Sequence, residues 1–205
     1  MTSPTMPRVL CIAGSPRRRG NSDQLLDACM AGIRDAGGQP DLLVAAAAGV
    51  APCRGCNSCV RTGSCVISDG MDDVNERIDL ADAIVIASPV FFATVPAVLK
   101  IIYDRLQPYW ARTYRLGNPR PPSRPGAFLL VGAGGDPYGF KCAADPTRSA
   151  FAVLRIDCIA ELCVEGPDVP GDILAHQPDL ERAAAIGTQL VVAARVSGAD
   201  GQHGR

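Results

Sequence analysis

Five short apolar runs, separated by stretches with helical spacing, constrain this chain more than any other feature. Val9 to Ala13, Asp41 to Ala46, Ala83 to Ser88, Ala127 to Val131 and Glu161 to Val164 read as strands. Helical patterns span 21 to 36, Asp72 to Leu80, Pro96 to Ala111, 146 to 158 and 178 to 195. In the first, Leu25, Leu26, Cys29 and Ile33 share one face, and Gly37-Gly38 stops the helix. Apolar strands that alternate with helices belong in a parallel sheet covered on both faces. Five of them are most simply wound in the order 2-1-3-4-5, giving a three-layer, doubly wound α/β domain. Ligands then bind beyond the carboxyl ends of strands one and three, where the winding direction switches. The loops after Ala13 and Ser88 should therefore carry the chemistry, helped by the loop after Val131.

The 205 residues suit one domain, 1–205, with an ordered core over about 7–195 and a tail over 196–205. Charged residues make up 20% and the net charge is −1, which argues against nucleic acid as a partner. Ala83 to Leu99 is uncharged, but Pro89 and Pro96 interrupt it and it is short for a membrane span. With no basic-then-apolar leader at the start, the expected location is the cytoplasm. His176 and His203 are isolated, and no serine sits on a G-x-S-x-G elbow, so no acid–base catalytic residue is assigned.

The first loop reads Gly14-Ser15-Pro16-Arg17-Arg18-Arg19-Gly20-Asn21-Ser22. It follows a strand and opens a helix, whose unpaired N–H groups and positive dipole end suit a phosphate. Ser15 and Ser22 add hydroxyls, Asn21 can cap or donate, and Arg17 can neutralise a dianion. The loop is neither G-x-G-x-x-G nor a G-K-[ST] loop, so neither a dinucleotide nor ATP is indicated. After the third strand comes Pro89-Val90-Phe91-Phe92, with at least one phenylalanine expected at the rim of the site. Gly132, Gly134 and Gly135 follow the fourth strand and either admit a ligand closely or make a turn.

Nine cysteines, an odd number in a chain this large, do not make a disulfide scaffold, and the crowding of four of them between residues 53 and 65 points to metal or redox work. Cys53, Cys56, Cys59 and Cys65 form C-x2-C-x2-C-x5-C, and Gly55 and Gly63 allow the segment to wrap. Four thiolates suit an iron–sulfur cluster or zinc, and the compact run leans towards a cluster. Free thiols at a dimer contact, or a local disulfide such as Cys56 with Cys65, are the alternatives. Cys11, Cys29, Cys142, Cys158 and Cys163 are expected to be buried fillers. Asp72 is expected to cap the helix it opens, with Asp73 beside it.

Gly14-Ser15-Pro16-Arg17 with Asn21-Ser22, then Ser88-Pro89-Val90-Phe91-Phe92, then Lys100 to Asp104-Arg105, resembles the flavodoxin-like NADPH-dependent FMN reductase family over about residues 7 to 190. The resemblance implies that the first loop binds the FMN phosphate. It implies that Pro89 to Thr94 lies along the isoalloxazine ring, and that Gly132 to Asp136 closes its other side. The cysteine spacing resembles that of the iron–sulfur flavoproteins, a branch of the same group that carries a 4Fe-4S cluster beside FMN. The implied activity is an NAD(P)H-dependent reduction of a small acceptor, such as free flavin or a quinone, with both substrates sharing one flavin face. The alternatives are a non-enzymatic electron carrier and a regulatory domain whose cysteines hold zinc. The resemblance further implies a homodimer or higher homo-oligomer, with the helix from Pro96 through Trp110 and the cysteine segment as contact elements.

Overall fold

The computed structural model describes residues 6–202, with side chains described as far as residue 197. Five strands form one parallel sheet: β1 (Arg8–Ala13), β2 (Gln39–Val44), β3 (Ala83–Pro89), β4 (Arg124–Gly132) and β5 (Ile156–Glu165). Their order is β2-β1-β3-β4-β5, as the alternation of strands and helices demands. The helices are α1 (Asn21–Asp35), α2 (Ser58–Thr62), α3 (Met71–Leu80), α4 (Ala97–Asp104), α5 (Gln107–Tyr114), α6 (Lys141–Leu154) and α7 (Gln177–Gln202).

The strand period of two splits the core into two layers. Val9, Cys11, Ala13, Val85 and Leu129 face α1 and α7. Leu10, Ile12, Ile84, Ile86 and Phe128 face the layer of α3, α4 and α6. Both faces of β1, β3 and β4 are buried, which explains their unbroken apolar runs. β5 is an edge strand with more exposed positions, and a bulge opposite Gly126/Ala127 shifts its register.

Several boundaries differ from expectation. β2 begins at Gln39, earlier than Asp41, because edge pairing tolerates Pro40. β4 begins at Arg124, inside the proline-rich stretch read as a loop. The helix expected over Pro96 to Ala111 is two helices, because Pro108 has no N–H to continue the ladder and starts α5 instead. α6 runs over 141–154, ahead of the expected 146–158, with Pro146 inside it and β5 taking up residues from 156. The cysteine segment, expected to be irregular, contains α2. Asp72 is not the cap of α3, since Asp69 accepts the Met71 N–H at 2.9 Å. Cys11 and Cys29 are buried fillers, but Cys142, Cys158 and Cys163 are exposed, and none of the nine cysteines is in a disulfide. The expected tail is helical through Gln202, while His203 and the remaining residues lie outside those described. Among the described residues no helix is long and apolar enough to cross a membrane.

Candidate functional site

The loops at the carboxyl ends of the strands converge as the topology requires. Ser15, Arg17, Asn21 and Ser22 follow β1; Pro89, Val90 and Phe91 end or follow β3; Gly132 and Ala133 end or follow β4. Together they line one cavity of about 190 Å³. Gly14 anchors the first loop by donating its N–H to the Ala87 carbonyl at 2.7 Å, across the switch point. Ser15 is buried, and its Oγ accepts the Arg17 N–H at 3.0 Å, folding the loop over the start of α1. The first N–H groups of a helix have no carbonyl partner within it; in α1 the series of bonds begins with Gln24 N–H to Gly20 O at 3.1 Å. Asp23 would oppose an anion there, but Arg18 (3.3 Å) and the Arg19 N–H (2.8 Å) both engage its Oδ2, while Oδ1 is buried without a hydrogen-bond partner.

Asn21 does not cap α1 and reaches across to the loop after β5. Its Nδ2 donates to Val169 O at 3.0 Å, and its Oδ1 accepts the N–H groups of Gly171 (2.9 Å) and Ile173 (3.3 Å). It thereby fastens the loop after β5, whose Pro167, Asp168 and Pro170 complete the cavity wall. Sequence reasoning missed this wall. The turn residues of Pro167-Asp168-Val169-Pro170-Gly171, directly after a strand, were the available signal.

The two phenylalanines diverge. Phe91 lines the cavity and is 38% exposed, whereas Phe92 is fully exposed at 100% and outside the lining. Phe91 and Thr94 exchange backbone hydrogen bonds of 2.8 and 3.1 Å around a tight turn. At its tip Phe92 (φ 48) and Ala93 (φ 64) occupy the left-handed region, which usually calls for Asn or Gly. Gly134 and Gly135 also lie outside the lining. Gly134 has φ 92, and an added Cβ would meet Glu165 Oε1 at 2.6 Å, so this position serves the turn.

A second concavity holds all four clustered cysteines. Cys53, Cys56, Cys59 and Cys65 line a cavity of about 360 Å³ together with Arg105 and Pro108. Burial, together with the neighbouring Cys53, Cys65 and Cys56, pushes the Cys59 thiol above its ordinary pKa. Among the described residues no three thiol, imidazole or carboxylate groups gather closely enough for a single metal ion. A larger cavity of about 810 Å³ lies at the opposite end of the sheet. Two of its polar side chains are engaged within the fold: Arg124 donates to the Ile78 and Ala81 carbonyls, and Tyr109 donates to Asp79.

Comparison with known proteins agrees with this architecture. An iron-sulfur flavoprotein of Archaeoglobus fulgidus is 28% identical over 183 residues, 89% of this chain and 78% of that protein. An iron-sulfur flavoprotein of Methanosarcina thermophila is 33% identical over 125 residues, 61% of this chain and 63% of its own length. Among solved structures, an NAD(P)H:quinone oxidoreductase from Methanothermobacter marburgensis superposes with a TM-score of 0.68 at 20% identity, over 91% of this chain and 98% of that one. A flavone reductase gives 0.70 at 17% identity, over 92% of this chain and 63% of that one. The profile of the NADPH-dependent FMN reductase family matches residues 7–164. With its doubly wound sheet and its loops converging at the switch point, the chain belongs to that family.

Proposed function

We propose that this protein binds FMN at the switch-point cavity and uses it to carry electrons from NAD(P)H to a small acceptor such as free flavin or a quinone. The observation that carries this reading is the convergence of the loops after β1, β3 and β4 on one cavity over the start of α1. The Ser15 and Ser22 hydroxyls, the first N–H groups of α1 and Arg17 would hold the phosphate. Asn21 would keep the far wall closed through its bonds to Val169, Gly171 and Ile173. Pro89, Val90 and Phe91 would present a wall to the ring, with Gly132 opposite.

The cavity is smaller than the 300 Å³ or more typical of a site enclosing a whole drug-sized ligand. That size suits enclosure of the phosphate end, with the ring along the rim where Phe92 and the loop carrying Gly134 and Gly135 stand. FMN, when bound, supplies the hydride and electron chemistry. The protein's part is to grip the phosphate, orient the ring and leave one face open, where the nicotinamide and the acceptor take turns. A homodimer would extend the rim from the second copy.

Cys53, Cys56, Cys59 and Cys65 would hold a 4Fe-4S cluster. The donor set is all thiol, a cluster spaces its ligands farther apart than one ion does, and two of the similar proteins are iron-sulfur flavoproteins. The four cysteines lining one cavity favour a second reading, an electron carrier without turnover of its own.

The absorption spectrum of anaerobically purified, reconstituted protein, followed by NADPH consumption with excess quinone, tests these assignments. Flavin bands with quinone-dependent consumption support the reductase. Flavin bands without consumption support the carrier. A colourless protein that takes up neither flavin nor iron overturns both.

A further inference from the structure

We propose that Arg105 is a positioning residue for the cysteine-lined cavity: it clasps both stems of the loop that carries the cysteines and turns its remaining N–H towards the group they hold. The second half of this proposal rests on the cluster reading above; the first half does not.

The loop leaves and rejoins the fold at one place. Gly70 N–H donates to Gly49 O at 3.3 Å, and the Ala51 N–H donates to Asp69 Oδ2 at 2.8 Å. The two stems run so close that a side chain at Gly70 would collide with the Ala48 carbonyl. Between the stems Arg112 of α5 donates its Nε–H to Gly63 O at 2.8 Å, and the loop has little else to shape it. Cys53 and Cys56 are exposed, Val66 is 56% exposed, and α2 is only five residues long. A helix that short does not hold itself together in water. The fixed geometry of the four cysteines must therefore be imposed from outside the loop.

Arg105 is placed to impose it. α4 ends at Asp104 because Pro108 breaks the helical ladder, and the residue at the break is directed inward. Arg105 is 1% exposed and heads the fully buried side chains by volume. Its Nη1 donates to Ala51 O and Asp69 Oδ2, both at 2.8 Å. Its Nη2 donates to Ile67 O at 3.2 Å and Asp69 Oδ1 at 3.1 Å. Ala51 lies two residues before Cys53 and Ile67 two residues after Cys65, so one side chain ties both flanks of the motif. Asp69 is the counter-charge of this buried guanidinium, its Oδ2 lying 2.8 Å from Nη1.

The fifth donor is the informative one. The Arg105 Nε–H is buried and has no hydrogen-bond partner, while the residue lines the same cavity as all four cysteines. Buried donors are almost always satisfied, so an unmatched one on a residue that lines a thiol-rich cavity calls for an acceptor. Cysteine or sulfide sulfur of a bound cluster supplies it. Hydrogen bonds to sulfur and nearby positive charge are among the levers that set a cluster's reduction potential.

The test compares full-length wild type, Arg105→Gln and Arg105→Lys, each loaded with flavin and reconstituted anaerobically with iron and sulfide. Four quantities are read: amide exchange of residues 51–69, iron release to a chelator, the cluster midpoint potential and flavin content. For Arg105→Gln we expect lost protection confined to the loop, iron release about 10- to 100-fold faster, a lower potential, and unchanged flavin content. Arg105→Lys, which keeps the charge without the fork, should lose protection in the same loop but lower the potential less. Wild-type protection and release in both variants overturns the proposal. So does loss of flavin with global deprotection, which would make Arg105 a general core residue. If wild type takes up no iron, the cluster reading fails by itself. The clasp is then judged on exchange alone: local deprotection in Arg105→Gln supports it, and unchanged exchange overturns it.

Discussion

The two cavities are built by opposite strategies. The switch-point cavity is assembled from four loops distant in sequence, each mounted on the end of a strand of the sheet, three of these strands buried on both faces. Its geometry follows from the sheet, and its polar groups are largely backbone N–H, small hydroxyls and one exposed arginine. The cysteine cavity is made mainly by a single segment with little core of its own, tied at its stems by the buried Arg105 and the half-buried Asp69. Where a rigid scaffold delivers the walls, side chains are free to face a ligand. Where the scaffold is absent, charged groups are consumed in holding the walls. The first site should thus tolerate changes to its ligand-facing residues without losing shape, and the second should fail by losing shape first.

Asp69→Asn is the severest test of that contrast. Leaving Arg105 buried without a counter-charge should cost about 3 kcal/mol of local stability in residues 51–69, within the range for breaking a buried pair. Amide exchange reads it, and the switch-point loops should keep wild-type protection; equal loss at both sites would erase the distinction. Arg17→Ala is the converse. Removing one charge-assisted contact should weaken FMN binding by about 10- to 100-fold, or roughly 1.5–3 kcal/mol. Because Arg17 is exposed, flavin-free stability should move by less than about 0.5 kcal/mol in denaturant titration.

Acid should open the cysteine loop first. The Arg105 guanidinium, helped by the Ala51 and Met71 N–H groups, holds the Asp69 carboxyl down at about 2 against an ordinary value of 3.8. A depressed carboxylate stabilises fully above its unfolded value and loses that contribution as pH falls through the folded one. On the order of 1–2 kcal/mol should therefore drain away between about pH 4 and pH 2. Pepsin should nick 51–69 in that window before it cuts elsewhere. The smallest effect is expected at the turn beyond β3. Ala93→Gly relieves a left-handed alanine and should stabilise the protein by about 1 kcal/mol, raising Tm by about 2–4 °C. A fall in Tm would show that the turn needs its methyl group.

The sheet was legible because its signals are local. Val9 to Ala13 and Ala83 to Ser88 are apolar runs that stop at Gly14 and Pro89, and the switch point follows from their order. Local signals also misled. Pro146 suggests a helix start, yet α6 begins at Lys141 and tolerates the proline inside. The Phe92-Ala93 turn was hidden because neither residue advertises a positive φ. The Asp69–Arg105 clasp was illegible for another reason: the partners lie 36 residues apart, and only the fold brings them together. Asn21 lines the switch-point cavity, but its bonds to Val169 and Gly171 depend on a loop almost 150 residues away.

The central claim is that the arginine-bearing loop after β1 recognises the phosphate of a flavin mononucleotide. Titrating flavin-free protein with FMN and with riboflavin, for wild type and Arg17→Ala, tests it most directly. Wild type should bind FMN at least about tenfold more tightly than riboflavin, and Arg17→Ala should shrink that gap by weakening FMN alone. Equal affinity of wild type for the two flavins would contradict the claim.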